Sequence, residues 1–151
     1  MLVRTGNLIF ASCAFVLDLM VLCGVRHAGP PPISHYLDNA RGIIVDLIVL
    51  CWFAGAVGLF FRKRLAWVCS LIGVGASVCL FGAISVTGIG LFFFPHFFPN
   101  AEMEKLRNMG GYPGGYTFAI VFVTTWFLFL LASSIGLFIG LLRKRKNLLG
   151  A

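Results

Sequence analysis

The sequence contains few charged residues, and acidic residues are the scarcest of them. Only 5 of the 151 residues are Asp or Glu, and all charged residues together make up 11% of the chain. A soluble domain of this length carries about 25% charged residues. Hydrophobic residues make up 60% of the chain, and the mean hydropathy is +0.98. This composition excludes a separate soluble domain and predicts a single membrane domain over residues 1–151.

The sequence also lacks the motifs that identify common catalytic and metal sites. It has no Gly-x-Ser-x-Gly turn, no Walker loop and no His-Glu-x-x-His motif. Its five cysteines include no Cys-x-x-Cys pair, so we interpret them as small buried hydrophobic residues. His27, His35 and Asp38 could form a loose metal site, but their spacing is not diagnostic. We therefore expect no catalytic residue, no metal, no cofactor and no enzymatic activity.

What the sequence does contain is four long apolar segments. A helix of about 20 residues crosses a hydrocarbon core about 30 Å thick. The apolar segments reach this length and predict transmembrane helices at about 7–25, 41–61, 65–90 and 116–142. The fold class is therefore all-α, a four-helix transmembrane bundle in a multi-pass membrane protein.

Basic residues lie mainly on one side of these four helices. Of the twelve Lys and Arg residues, one precedes helix one, and seven lie in two runs that abut apolar segments. These eight are Arg4, Arg62, Lys63, Arg64, Arg143, Lys144, Arg145 and Lys146. The other four belong to the opposite side, where acidic residues largely balance them. By the positive-inside rule, the loop 62–64, the tail 143–151 and both termini are cytoplasmic.

The same basic runs determine which partners we expect. Cations that flank apolar segments at headgroup depth favour anionic lipid headgroups. Because the basic residues are placed in this way, we interpret the net charge of +7 as a membrane feature and predict no nucleic-acid partner. The lipid bilayer is the predicted partner.

The outer loops, 26–40 and 91–115, carry several local signals. Asp38 is the expected N-cap of helix two, and Gly88 and Gly90 are expected to end or bend helix three. Within the second loop, residues 100–109 predict a short interfacial helix, because acids precede bases along it and complement the helix dipole.

Small residues indicate where the helices pack. Lipid tails are as apolar as leucine, so association depends on close approach of the backbones. Helix four contains Ala132, Gly136 and Gly140 at intervals of four, and helix three contains Gly75 and Gly82. These positions predict packing within the chain or, through helix four, self-association or contact with another membrane protein.

Three tryptophans complete the expected packing. Trp67 is expected at the cytoplasmic interface, where the indole N–H finds a polar partner. Trp52 and Trp126 fall in mid-membrane and are expected to pack against neighbouring helices.

Two aspartates are the candidate ion or proton-binding residues. Asp18 lies near the middle of predicted helix one, where a charge costs at least about 2.5 kcal/mol on insertion scales. Asp46 lies about one turn inside predicted helix two. Because one loop joins these helices, the two carboxyl groups could share a site for a proton or a cation. The alternative is a hydrogen-bonded acid that fastens helices together.

One segment carries a resemblance. Residues 58–67 read GLFFRKRLAW, a tight basic turn between two apolar helices. This run resembles the turn found in many small four-helix membrane proteins of bacteria. The resemblance covers about ten residues, implies a plasma membrane location in the bacterial inner membrane, and implies no activity.

Three functional hypotheses follow. The first is a non-enzymatic membrane subunit, scaffold or accessory protein. The second is a small proton- or cation-coupled carrier that uses Asp18 with Asp46. The third, for which the sequence offers no nucleophile and base, is a membrane enzyme that modifies lipids.

Overall fold

The computed structural model describes the backbone of residues 1–26, 35–93 and 115–150, and side chains within 1–21, 42–90, 118 and 121–150. These residues form helices and turns, without a strand. The five α-helices are α1 (Leu2–Arg26), α2 (His35–Gly58), α3 (Arg64–Phe93), α4 (Gly115–Arg143) and α5 (Arg145–Leu149). A short 3-10 helix, Leu59–Phe61, follows α2 directly.

Four of these helices are long and apolar enough to cross a membrane. The candidate spans are Leu2–Val21 in α1, Gly42–Phe61 in α2 and its 3-10 extension, Arg64–Gly90 in α3, and Val121–Arg143 in α4. The all-helical class and the four apolar helices are therefore confirmed. Hydropathy is sufficient to locate them, because each span is longer than any apolar stretch needed in a soluble core.

Several helix ends differ from those predicted. The first helix begins at Leu2 rather than at residue 7, because Asn7 pairs inside the fold and does not mark a helix end. Asp38 lies inside α2 and is not its N-cap, since the helix already begins at His35. Helix α3 continues through Gly88 and Gly90 to Phe93. The predicted interfacial helix at 100–109 lies outside the described residues.

The C-terminal tail contains a helix that the sequence did not indicate. Helix α5 follows α4 after Lys144, and Gly150 ends it with a φ of 74°, a left-handed conformation that glycine adopts without strain. Leu148 is buried at 5% exposure and joins the apolar core. One buried leucine within a basic run is too weak a periodic signal to predict a helix.

The described chain separates into two compact units. The first contains Met1–Ala76 and Ile135–Ala151, and the second contains Ser77–Ser134. The prediction of one membrane domain over the whole chain stays a prediction.

In the first unit, α2 and α3 pack closely through glycines. A methyl group at Gly55 would lie 2.7 Å from Cβ of Cys69, and one at Gly58 would lie 2.7 Å from Cβ of Ala66. A methyl group at Gly73 would overlap the side chain of Trp52. The turn between the helices is short because Arg62 adopts a φ of 55° and its N–H donates to the Leu59 carbonyl. Close backbone approach therefore holds this helical hairpin together.

The second unit contains the far part of α3 and most of α4. The rings of Phe81 and Phe127 lie 5.9 Å apart in a tilted arrangement. A methyl group at Gly88 would overlap Thr124, so the backbone of α3 approaches α4 closely at that point. Gly88 thus serves helix packing, which explains why it lies inside α3 rather than at its end.

Candidate functional site

The structure brings the two candidate aspartates together. Asp18 extends from α1 and Asp46 from α2, and their carboxyl groups lie within hydrogen-bonding reach of each other. Both side chains are half-buried. A carboxyl oxygen donates a hydrogen bond only when it carries a proton, so a hydrogen bond between these groups would hold one proton between two acids. The pair can exchange that proton or, fully ionised, attract a cation.

The two aspartates lie well inside their helices. Asp18 lies eight residues before the end of α1 at Arg26, and Asp46 lies eleven residues after the start of α2 at His35. The expected position of Asp18 near the middle of the membrane stays a prediction.

A second polar contact, which the sequence did not reveal, lies nearer the other end of α1. Trp52 Nε1 donates a 2.7 Å hydrogen bond to Oδ1 of Asn7, and both side chains are buried. Trp52 also packs on Gly73, so its indole joins α1, α2 and α3. The expectation that Trp52 packs against neighbouring helices is confirmed. The signal that could have revealed this contact is the polar Asn7 within an otherwise apolar stretch.

Trp126 does not share this arrangement. It is 56% exposed, and its ring lies 6.5 Å from that of Phe129 on the same helix. The expectation that Trp126 packs against neighbouring helices stays a prediction, because the ring contact described for it is within its own helix. Position along a helix predicts depth in a membrane, but the direction of the side chain depends on the packing angle of the helix.

The basic end of the first unit is built from segments distant in sequence. Arg4 Nη2 donates a 3.1 Å hydrogen bond to the carbonyl of Leu148, and Trp67 Nε1 donates a 3.0 Å hydrogen bond to the carbonyl of Leu141. The guanidinium of Arg145 lies 4.9 Å from the centre of the Trp67 ring, a cation–π contact. A polar partner for the Trp67 N–H was expected, and it is a backbone carbonyl of α4.

All eight predicted cytoplasmic cations belong to this first unit. Gly150 approaches the side chain of Arg62, and Gly140 packs against Val3, so the start of α1, the basic turn and the end of the chain meet. The C-terminal ends of α2, α4 and α5 lie here, and the negative end of a helix dipole favours cations. Arg62, Lys63, Arg64, Arg143, Lys144, Arg145 and Lys146 are exposed, and Arg4 is half-buried.

The predicted packing residues divide into contacting and open positions. A methyl group at Gly75 would lie 3.7 Å from Phe138, one at Gly82 would lie 3.9 Å from Leu131, and one at Gly140 would lie 3.2 Å from Val3. A methyl group at Gly136 would have no neighbour within 4 Å among the described residues, and Ala132 is exposed. The three contacting glycines have neighbours within their own units, whereas Gly136 presents open backbone.

Metal ligands are not grouped in the part of the chain that the structure describes. No cluster of three or more His, Cys, Asp or Glu side chains occurs there. His27 and His96 lie outside the described residues, and nothing describes the side chains of His35 and Asp38. Comparison of the chain with protein-family models, curated proteins and solved structures finds no match.

Proposed function

We propose that this chain is an integral membrane protein with four spans and both termini in the cytoplasm, in the bacterial inner membrane. The four apolar helices support the spans. The meeting of α1, the basic turn and α5 supports the orientation, because eight cations gather at one end and basic residues favour the cytoplasmic side. The resemblance of residues 58–67 to bacterial basic turns supports the location.

A reporter fused to each terminus tests the orientation. A fluorescent protein that folds only in the cytoplasm should be bright at both ends, and a phosphatase active only outside should be silent at both. The opposite pattern at either end would overturn the proposed topology.

Within the membrane, the chain acts as a non-enzymatic subunit, scaffold or accessory protein that binds another membrane protein, or a second copy, through α4. The observation that carries this role is the open backbone at Gly136. Ile135 and Ile139 beside it are 41% and 42% exposed. A small residue between exposed apolar side chains permits a neighbouring helix to approach closely, which is the main source of helix association in lipid.

Native mass after purification in a mild detergent tests this role. We expect a stoichiometric complex or a homo-oligomer that Gly136→Leu dissociates, because leucine fills the space a partner helix would occupy. Gly42→Leu is the matched control, since a methyl group at Gly42 on α2 would also have no neighbour within 4 Å in the described part of the chain. A monomer in the unsubstituted protein, or a complex that survives Gly136→Leu, would contradict the role of α4.

The second candidate function is a small proton- or cation-coupled carrier, and the contact between Asp18 and Asp46 favours it. Two acids on neighbouring helices can hold a proton at one moment and a cation at another.

Flux in liposomes tests the carrier. With a pH gradient imposed and a pH-sensitive dye inside, Asp18→Asn should abolish flux, because the amide cannot release a proton. Asp18→Glu should retain flux, since it keeps a carboxyl group at the site. Flux that persists in Asp18→Asn would exclude Asp18 as the coupling group.

A further inference from the structure

Cys51 and Cys69 lie far apart in the sequence but meet between α2 and α3. Gly55, one helical turn after Cys51 on α2, packs directly against Cβ of Cys69 on α3, which brings the two thiols close together. Both belong to the first unit, both thiols are free, and both side chains are half-buried. The sequence showed no Cys-x-x-Cys motif that would pair them. The packing of α2 on α3 brings the two thiols together, as a Cys-x-x-Cys motif would within one segment.

Packing around Gly55 explains how the two thiols meet. Gly55 lies one helical turn after Cys51, and a methyl group there would come within 2.7 Å of Cβ of Cys69 and 2.8 Å of the Ser70 backbone nitrogen. Because Gly55 has no side chain, the backbones of α2 and α3 approach closely at this level. The side chain of Cys69 therefore reaches the surface of α2 that also carries Cys51.

We propose that Cys51 and Cys69 form an oxidisable thiol pair, a modification site at which a disulfide links α2 to α3. In the reaction the two S–H bonds break and one Sγ–Sγ bond forms. Two electrons and two protons pass to a lipid-soluble two-electron acceptor of the quinone class, which leaves as the quinol. The half-buried position of both thiols in apolar spans gives such an acceptor access from the lipid side.

The other described cysteines differ from this pair. Cys13 and Cys79 are exposed, and they belong to different units. Oxidation should therefore give one specific intramolecular link rather than a mixture of links.

The link has a structural consequence. Residues 51 and 69 flank the turn that contains Arg62, so a disulfide would close the hairpin of α2 and α3. It would restrict the unfolded chain and hold Trp52 on Gly73 beneath it. Oxidation should thus raise the melting temperature of the purified protein, and a reductant should reverse the rise.

Zero-length cross-linking tests the pair. The variant with Cys13→Ser, Cys23→Ser and Cys79→Ser, purified in detergent, receives a brief treatment with iodine, and its remaining free thiols are alkylated after denaturation. We expect both thiols to become protected, with peptides containing residues 51 and 69 joined until a reductant is added. A control that retains Cys13 and Cys69 instead should keep both thiols free.

Two further measurements keep the test decisive. If the triple variant does not fold, peptide mapping of the iodine-treated unsubstituted chain identifies the linked cysteines directly. Free thiols, intermolecular dimers or links to Cys13, Cys23 or Cys79 would overturn the pair. A fully substituted benzoquinone, which cannot add thiols to its ring, should then replace iodine in liposomes and yield the same link together with quinol.

The choice of a quinone rests on the proposed membrane location, whereas the iodine experiment in detergent does not. A link with iodine but none with the quinone would overturn the assigned oxidant. It would not affect the proposed membrane orientation, which the reporters fused to the two termini test separately. No link with either reagent would overturn the pair itself.

Discussion

The two halves of α1 are held in different ways. In the half near the basic turn, Asn7 and Ala11 are fully buried, and Asn7 accepts a hydrogen bond from Trp52. In the other half, Leu17, Met20 and Val21 are more than 60% exposed, and the polar contact is that of Asp18 with Asp46. A hydrogen bond between a neutral indole and a neutral amide needs no change of protonation. A hydrogen bond between two carboxyl groups forms only while one of them carries a proton. The first half is held by a buried contact, and the second contains the residue on which the proposed carrier function depends.

Removal of Trp52 should produce the largest effect, because its indole joins three helices. Trp52→Ala should lower the free energy of unfolding by about 3 to 5 kcal/mol, the usual cost of deleting a buried indole. The measurement is a reversible SDS titration in mixed micelles. Trp126→Ala is the matched control and should change little, since Trp126 is largely exposed. Equal losses of unfolding free energy in the two variants would mean that the contact of Trp52 with Asn7 does not make its half of α1 more stable than the rest.

A methyl group at Gly73 should have the next largest effect. Gly73→Ala places Cβ against the Trp52 side chain. Overpacking of this kind should cost about 1 to 3 kcal/mol in the same titration. Gly42→Ala is the control, because a methyl group at Gly42 has no described neighbour within 4 Å and the change should stay within about 0.5 kcal/mol. If both variants unfold alike, α2 and α3 are not held together at Gly73.

A double-mutant cycle should show a smaller but specific coupling between the two acids. Asp18→Ala and Asp46→Ala, made singly and together, should give non-additive losses with a coupling energy of about 0.6 to 1.7 kcal/mol, the range for polar contacts in lipid. The cycle of Asn7→Ala with Asp18→Ala should be additive, because those side chains lie at opposite ends of α1. Additivity in the first cycle would mean that the carboxyl groups do not interact.

The smallest effect should come from the tail. Arg145→Gln removes the cation from the face of Trp67 and should cost about 0.5 to 1 kcal/mol, as expected of an exposed cation–π contact. Lys146→Gln is the control for a loss of charge on the same short helix. The comparison is made at low and high salt, and a loss of equal size in both variants would mean that charge alone matters.

The sequence predicted the four apolar helices but not the contacts between them. Hydropathy reports which segments avoid water, so α1 to α4 were accessible from composition alone. The approach of Asp18 to Asp46 was foreseen as one hypothesis, because a single loop joins their helices. The facing direction of each side chain was not accessible, so the sequence did not distinguish the buried Trp52 from the largely exposed Trp126.

Contacts between residues distant in sequence were the most difficult to predict. Asn7 and Trp52 are 45 positions apart, and neither residue type indicates which residue it will contact. The thiols of Cys51 and Cys69 meet only because Gly55 lets two backbones approach. Helix α5 depends on one buried leucine, and a run of cations around it conceals the helical pattern. Sequence periodicity describes one helix at a time, whereas these contacts depend on how two helices cross.

The hydrogen bond from Arg4 to the Leu148 carbonyl also affects the order of assembly. Its partners are 144 residues apart, so the donor is synthesised long before its acceptor. The Arg4 guanidinium therefore needs another polar partner, such as water, until α5 emerges from the ribosome. The final packing of α1 thus depends on α5, and a chain interrupted before α5 should hold the start of α1 less firmly.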